Sequence, residues 1–315
     1  MAKDIPLTFA CGDYEIMRAL KEGKVKPDGM ELTILNDMDS TTRHWRILRN
    51  HEFDIGELSG SSYIMAKERG APYEAIPVFP HRRFRHGFVF INTAAGIKSP
   101  EDLEGKRVGV NRGYTVTTGV WARGILAEEH GVDLSKITWV LSGDEHVAEY
   151  KAPKNVVPIG AGKNMQDMLI SGELAGAIGV DVDHPDVKPL IPDALDAGLA
   201  ALKSRGHYPI NHVVVIRNDL LAKYPDLAAD AFNAFAESRR LYVEKLKAGK
   251  IEKPTSVDKV HEKVMAITGD PLPFGVEPNR KVIEMLIGHA MSQGIITRKV
   301  TVDELFAPST LKLKA

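Results

Sequence analysis

The segment from Phe79 to His86 holds the densest group of side chains that could bind or transform a charged molecule. It reads Phe-Pro-His-Arg-Arg-Phe-Arg-His and stands between two apolar runs. An arginine guanidinium is a planar fork that pairs with a carboxylate through two parallel hydrogen bonds. We therefore expect Arg82 and Arg85 to bind a carboxylate, with Arg83 on the opposite side. The alternative for any single arginine is a solvated position on a basic loop.

Two hydroxyl-rich segments follow expected strands and open expected helices. They are Ser-Gly-Ser-Ser at residues 59–62 and Asn-Arg-Gly-Tyr-Thr-Val-Thr-Thr at residues 111–118. Hydroxyls and free backbone N–H groups at a helix N-terminus attract anions. The residues expected to bind substrate here are Ser59, Ser61, Ser62, Arg112, Thr115, Thr117 and Thr118. The alternative for both segments is an ordinary capped helix start.

Histidine is the natural candidate for a catalytic proton donor, because its imidazole titrates near neutral pH. His212 stands at the start of an apolar strand, and His86 ends the arginine-rich segment. We expect both to be catalytic, with His212 as the donor and His86 affecting mainly the pH profile. The alternative for each is a structural histidine. His44 and Glu57 are weaker candidates.

No metal or cofactor site is expected from the spacing of the remaining polar residues. Asp181, Asp183 and His184 lie close together, but their spacing matches no metal signature. The run Gly-Ala-Gly-Lys at residues 160–163 lacks the spacing of a nucleotide-binding loop. Acidic turns and a plain glycine-rich loop explain these residues.

Elements that would position these residues alternate between strand and helix. This β-α alternation runs through residues 5–78 and again through residues 87–179, and helices follow to the C-terminus. Such alternation predicts an α/β protein with helix-covered parallel sheets. We expect two lobes, residues 1–91 with 213–315 and residues 92–212, connected by two hinge crossings. Ligands bind in the cleft between such lobes, and we expect the lobes to close over one.

Composition limits the partners that the chain can have. The formal net charge of −1 gives no general attraction to nucleic acid or to an acidic membrane. One cysteine, Cys11, excludes an intramolecular disulfide, and no apolar run is long enough for a membrane span or a signal peptide. We expect a cytoplasmic protein, although a chain whose leader had been removed would look the same. A homo-oligomer is left open.

Three segments together resemble the 4,5-dihydroxyphthalate decarboxylase family. They are residues 53–63, Phe-Asp-Ile-Gly-Glu-Leu-Ser-Gly-Ser-Ser-Tyr; residues 76–86, Ile-Pro-Val-Phe-Pro-His-Arg-Arg-Phe-Arg-His; and residues 208–216, Tyr-Pro-Ile-Asn-His-Val-Val-Val-Ile. The resemblance implies a two-lobed fold similar to type II periplasmic solute-binding proteins. It also implies decarboxylation of 4,5-dihydroxyphthalate, or of a related hydroxylated aromatic carboxylate, to 3,4-dihydroxybenzoate (protocatechuate) and carbon dioxide.

The chemistry implied by this resemblance needs no cofactor. Each carboxylate of the substrate lies para to a phenol, whose electrons let the ring carbon accept a proton before carbon dioxide leaves. The protein has to bind the small aromatic carboxylate, polarise the phenol and deliver the proton. The alternative is a non-catalytic binding protein for an aromatic or carboxylate solute, which would act in transport or sensing.

Overall fold

The computed structural model describes residues 4–315, which form two mixed β-sheets covered by helices. Strands are numbered in chain order. The first sheet has the spatial order β2 (Met30–Leu35), β1 (Ile5–Ala10), β3 (Ile55–Ser59), β11 (His212–Arg217) and β4 (Tyr73–Ile76). Strands β2, β1 and β3 are parallel, whereas β11 runs antiparallel to both of its neighbours.

The second sheet carries the other half of the expected β-α alternation. Its spatial order is β10 (Val187–Pro189), β5 (Val89–Asn92), β9 (Gly176–Ile178), β6 (Arg107–Val110), β7 (Thr138–Leu141) and β8 (Val156–Pro158). Strands β9, β6, β7 and β8 are parallel, and β5 and β10 are antiparallel to their neighbours. The expected α/β class is confirmed, but the sheets are mixed rather than wholly parallel, because β11, β5 and β10 run antiparallel to their neighbours.

Ten α-helices cover these sheets. They are α1 (Arg18–Lys21), α2 (Ser40–Asn50), α3 (Gly60–Glu68), α4 (Thr117–His130), α5 (Met165–Ile170), α6 (Ala194–Arg205), α7 (Asn218–Lys223), α8 (Leu227–Lys247), α9 (Ser256–Thr268) and α10 (Arg280–Ser292). Within residues 4–315, none of them is long and apolar enough to cross a membrane.

Three helix starts and helix α10 matter most for the cleft. The carboxylate of Asp39 caps α2 by accepting the N–H groups of Thr41 and Thr42. Helices α3 and α4 begin where β3 and the loop after β6 end, and α10 packs against both of them. Because α3 follows a strand of the first sheet and α4 a strand of the second, α10 joins the two lobes.

The first crossing between the lobes comes earlier than the sequence suggested. Strand β5 belongs to the second sheet, so the chain crosses within residues 77–88 rather than at residue 91. A short apolar run looks the same in either sheet, so its pattern does not reveal this assignment. The chain returns at His212, which pairs with Ser59 in the first sheet.

The two crossing segments run side by side between the lobes. Arg82 forms an isolated antiparallel bridge with Ile210, and the carbonyl of His81 accepts the N–H of Asn211 at 2.9 Å. This double connection is the hinge. It places His81 and Arg82 directly beside Ile210 and Asn211.

Candidate active site

A cavity of about 230 Å³ opens between the lobes beside the two crossing segments. Its wall contains residues of both sheets' loops and of the hinge: Ser40, His44, His81, Arg83, Arg85, Phe88, Asn111, Arg112, Val116, Thr118, Gly119, Ile178, Gly179, Asn211 and His212. This volume suits a single-ring molecule better than a dinucleotide.

His212 is fixed in this wall by a completely buried carboxylate. Its Nδ1 atom contacts Oε1 of Glu57. Glu57 lies two residues before Ser59, the residue opposite His212 in the antiparallel pair, so the two side chains are diagonal neighbours on one face. Three further groups hold Glu57: Nη2 of Arg43 at 2.9 Å, the Gly12 N–H at 2.6 Å and the Tyr14 hydroxyl at 2.5 Å.

These contacts keep Glu57 ionised. Burial by itself raises the pKa of Glu57, but the charge and hydrogen bond of His212, followed by Arg43 and Tyr14, outweigh it and lower this pKa to about 2. An ionised carboxylate on Nδ1 sets the orientation of the imidazole. The nitrogen that remains available for a ligand is Nε2.

Two other imidazoles surround His212. The ring of His44 lies 5.0 Å from that of His212 and the ring of His81 lies 4.9 Å from it. Burial, with the nearby His212 as the next cause, holds the pKa of both His44 and His81 well below the ordinary value. Both rings are therefore neutral at physiological pH, and His81 stacks on Tyr14 at the edge of the cavity.

The arginines divide differently from the sequence expectation. His81, Arg83 and Arg85 line the cavity, whereas Arg82 points away, with Nη1 bonded to Asn279 at 2.7 Å and Nη2 bonded to the Tyr208 carbonyl at 2.6 Å. Extended residues alternate between faces with a period of two, so 81, 83 and 85 share one face. The expectation that Arg82 faces the ligand and Arg83 faces away is therefore wrong.

Arg85 is buried without a carboxylate partner. It is 2% exposed, and its Nε and Nη2 atoms have no hydrogen-bond partner among residues 4–315. The guanidinium lies over the ring of Phe88 at 4.2 Å. Burial, and then the neighbouring Arg83, lower the pKa of Arg85 to about 9, so it still carries its charge at neutral pH.

Arg112 reaches across the cavity from the second lobe. Its Nη1 atom donates to Oγ of Ser40 at 2.9 Å, and its backbone N–H donates to Oγ of Ser142 at 2.8 Å. The backbone φ angle of Arg112 is 74°, a left-handed conformation that non-glycine residues seldom adopt. Strain of this kind is concentrated at ligand sites, where the surrounding structure maintains it.

Most of the candidate hydroxyls lie outside the cavity, in a seam between the starts of α3 and α4. Oγ of Ser59 contacts Oγ1 of Thr117 at 2.7 Å, and the N–H of Ser61 donates to the same oxygen at 2.9 Å. Oγ of Ser61 donates to the Thr115 carbonyl at 2.5 Å. We call Ser59, Ser61, Ser62, Thr115 and Thr117 the hydroxyl seam. Its groups bond mainly to one another, which leaves Thr118 as the candidate threonine on the cavity wall.

Two members of the hydroxyl seam also bond to residues of the second lobe. Oγ of Ser62 contacts Nδ1 of His146 at 2.8 Å, and Oγ1 of Thr115 donates to Glu145 at 2.6 Å. All five members of the seam are buried. Their contacts tie the lobes together beneath the cavity, whereas a bound anion would need the same N–H and O–H groups.

His86 lies behind the cavity rather than in it. Its ring is buried, and Nε2 contacts the two carboxylate oxygens of Glu129 at 3.1 and 3.2 Å. The structure therefore does not bring His86 and His212 to the same ligand. His86 instead belongs to a second polar cluster, with Glu129 and His207.

The sequence expectation ranks Glu57 as a weak candidate and omits His81. It also places Arg83 on the side away from the ligand, whereas Arg83 lines the cavity. A usable signal existed for Glu57, because it is a charged residue inside the apolar run of β3. Buried acids are rare unless they are paired, so such a residue points to a cationic partner. For His81 and Arg83 the signal was the period of two through residues 81–85.

Comparison with known proteins agrees with this two-lobed arrangement. The family model described as "ABC transporter, phosphonate, periplasmic substrate-binding protein" matches residues 32–162. The periplasmic aliphatic sulphonate binding protein SsuA from Escherichia coli has 12% identical residues and a TM-score of 0.56, over 98% of this chain and 92% of that chain. This likeness confirms the expected fold, a two-lobed α/β architecture similar to type II periplasmic binding proteins.

Two relatives are similar in sequence as well as in fold. The 4,5-dihydroxyphthalate decarboxylase of Comamonas testosteroni is 33% identical over 98% of this chain and 98% of its own length. The protein of the same name from Pseudomonas putida is 40% identical over 59% of this chain and 77% of its own length. Because the first similarity spans both chains almost completely, this chain belongs to the 4,5-dihydroxyphthalate decarboxylase family.

Proposed function

We propose that this protein decarboxylates 4,5-dihydroxyphthalate, or a closely related hydroxylated aromatic carboxylate, to 3,4-dihydroxybenzoate and carbon dioxide without a cofactor. The observation that carries the proposal is the cavity itself, where His212, held from behind by Glu57, shares the wall with three arginines that have no carboxylate partner within residues 4–315. Membership of the decarboxylase family supports the same activity.

The arginines supply the binding charge. Among residues 4–315, Arg83, Arg85 and Arg112 make no salt bridge with a carboxylate, although all three line the cavity. Arg85 is buried, Arg112 is half-buried and Arg83 is exposed. A buried cation without a partner is costly, so an anion that enters the cavity removes that cost at Arg85 above all. An aromatic dicarboxylate brings two negative charges. We assign the retained carboxylate to Arg85 and Arg83, and Arg112 closes the opposite side.

His212 delivers the proton that replaces carbon dioxide. Its protonated imidazole, held by Glu57, donates from Nε2 to the ring carbon that carries the leaving carboxylate. The carbon–carboxylate bond then breaks, and its electron pair restores the aromatic ring as carbon dioxide leaves. His212 recovers a proton from solvent before the next turnover. The ionised Glu57 lowers the energy of the imidazolium and keeps its Nδ1 engaged throughout.

His81 is the residue that we assign to the phenol. Its imidazole is neutral, it lines the cavity, and it stacks on Tyr14 beside His212. A neutral imidazole accepts a hydrogen bond from the phenol para to the leaving group and increases electron donation into the ring. The substrate's own ring thus accepts the proton from His212, and His81 makes the ring carbon more basic.

Incubation of the purified protein with 4,5-dihydroxyphthalate tests the proposal directly. We expect one carbon dioxide and one 3,4-dihydroxybenzoate for each substrate consumed, measured by headspace analysis and chromatography. Treatment of the enzyme with a chelator before the assay should leave this turnover unchanged. Failure to form either product from any hydroxylated phthalate would exclude the decarboxylase.

The second candidate is a non-catalytic binding protein for an aromatic carboxylate, which the likeness to solute-binding proteins favours. The same cavity would then bind 4,5-dihydroxyphthalate and release it unchanged. Calorimetric binding without product formation, in wild-type protein, would decide for this alternative. The cytoplasmic location and the homo-oligomer stay predictions.

A further inference from the structure

A second cluster of ligating side chains lies outside the cavity and takes no part in the proposed reaction. His86, Glu129 and His207 come from three separate parts of the chain, yet their ligating atoms all lie within 4.8 Å of one another. His86 lies in the first crossing segment, and His207 lies at the start of the second. Glu129 ends α4 in the second lobe. Both histidines are buried and Glu129 is half-buried.

The spacing within this cluster suits a tetrahedral metal ion. Nε2 of His86 lies 3.1 Å from Oε2 of Glu129, and Nδ1 of His207 lies 3.5 Å from Oε1. Zinc binds imidazole nitrogen and carboxylate oxygen at about 2.0–2.2 Å, so adjacent ligands of a tetrahedron stand about 3.4 Å apart. The observed separations lie on either side of that value. Two imidazoles and one carboxylate also form a donor set that zinc favours.

Arg205 opposes a cation at this cluster. Its Nη2 atom contacts Oε1 of Glu129 and lies 3.5 Å from Nδ1 of His207. However, its side chain is 35% exposed, and its Nη1 atom already lies 3.7 Å from Glu128. The guanidinium can therefore move to Glu128 when an ion takes Glu129. A divalent ion and Arg205 compete for the same carboxylate.

We propose that His86, Glu129 and His207 form a binding site for a divalent transition-metal ion such as Zn²⁺. The ion would connect both crossing segments to α4, which makes the site a clasp on the hinge. Its fourth position remains for water. No sequence motif indicates this site, because its three ligands are dispersed over more than a hundred residues.

Titration of chelator-treated protein with zinc chloride, followed by calorimetry, tests the site apart from activity. We expect one equivalent of Zn²⁺ to bind and raise the melting temperature, whereas Mg²⁺ at the same concentration does neither. Glu129→Gln and His207→Gln should each weaken zinc affinity by at least about tenfold. Arg205→Gln should strengthen it several-fold, because the competing cation is gone.

The matched control is His184→Gln, which removes a half-buried histidine beside Asp186, outside the cluster, and should leave zinc affinity unchanged. Circular dichroism of each metal-free variant verifies that it folds. Wild-type protein that binds no zinc, Glu129→Gln with unchanged affinity, or Arg205→Gln with weaker affinity would overturn the proposal. Each of these results would identify the cluster as an ion-pair network around Arg205.

Discussion

At the scale of single residues, the proposed proton donor depends on a carboxylate that does not line the cavity. Glu57 is completely buried, and it contacts His212, Arg43, Tyr14 and the Gly12 backbone. Its function is to orient His212 and to stabilise the charge that appears when Nε2 is protonated. The two residues should therefore differ in what their removal does.

His212→Asn should abolish turnover while the substrate still binds. The substituted amide lacks an acid that can protonate a ring carbon, and general acid catalysis contributes about 10²–10⁴-fold. We expect kcat to fall by that factor, with a dissociation constant, measured by calorimetry, within a few-fold of wild type. His184→Asn serves as a surface control. Near-normal turnover in His212→Asn at several pH values would remove it from the donor role.

Arg85→Ala and Arg82→Ala should separate binding from stability. Arg85 faces the cavity without a carboxylate partner, so its loss removes a charge-assisted pair of about 1.5–3 kcal/mol and weakens substrate binding about 10- to 100-fold. Arg82 instead bonds to Asn279 and to the Tyr208 carbonyl. Its loss should mainly lower the free energy of unfolding. Calorimetry and urea unfolding of both variants distinguish these outcomes, and the reverse result would contradict the assignment.

At the scale of elements, Glu57 joins four parts of the first lobe. It stands on β3 and contacts β11 through His212, α2 through Arg43, and the end of β1 through Gly12. Removing one partner of a buried ion pair leaves an uncompensated charge, which is far more costly than losing an exposed pair. The same group that orients the donor therefore stabilises the sheet.

Acid should remove this contribution over a defined pH range. The pKa of Glu57 is lowered from 4.5 to about 2 in the folded protein, which corresponds to about 3 kcal/mol of stability at neutral pH. A lowered carboxyl pKa stabilises the fold above the unfolded pKa, and this stability disappears as the pH falls from about 4.5 to about 2. In urea unfolding across this range, the free energy of unfolding should fall more steeply with decreasing pH in wild type than in Glu57→Gln. Equal slopes would show that Glu57 is not held ionised.

The sequence predicted the elements better than their assembly. Alternating strand and helix patterns gave the fold class, because each pattern is local. The Glu57–His212 pair joins residues 155 positions apart, and it depends on the antiparallel register of β3 and β11. No local pattern carries that register. For the same reason, local patterns predict neither the sheet that β5 joins nor the contacts among the hydroxyls of the seam.

At the scale of the whole molecule, the hydroxyl seam and α10 hold the lobes together. Oγ1 of Thr117 contacts both Ser59 and Ser61, so this one atom joins the starts of α3 and α4. Thr118, the next residue, lines the cavity instead. Of these two adjacent threonines, Thr117 therefore joins the lobes and Thr118 faces the cavity.

Thr117→Val should loosen the clamp, whereas Thr118→Val should not. Valine has a similar shape but leaves the Ser61 N–H without its acceptor, at a cost of about 1–3 kcal/mol. We expect a lower melting temperature and a larger radius of gyration in small-angle scattering for Thr117→Val. The Thr118→Val control should keep the wild-type radius and change only substrate affinity. Identical scattering from both variants would show that the seam does not set the distance between the lobes.

The hydroxyl seam has a consequence for how affinity should be interpreted. Its donors and acceptors bond to one another. The two lobes are therefore held together by interactions within the protein, and little of the substrate's binding energy is needed for this. Affinities of a series of analogues should then report contacts in the cavity alone. An aromatic acid that lacks one carboxylate should then lose about the strength of that contact, because the seam contributes to closure whether or not a ligand is bound. A protein that closes in this way changes little in shape when a ligand binds, so it signals poorly to a partner. It is better suited to keep water away from a reacting ring.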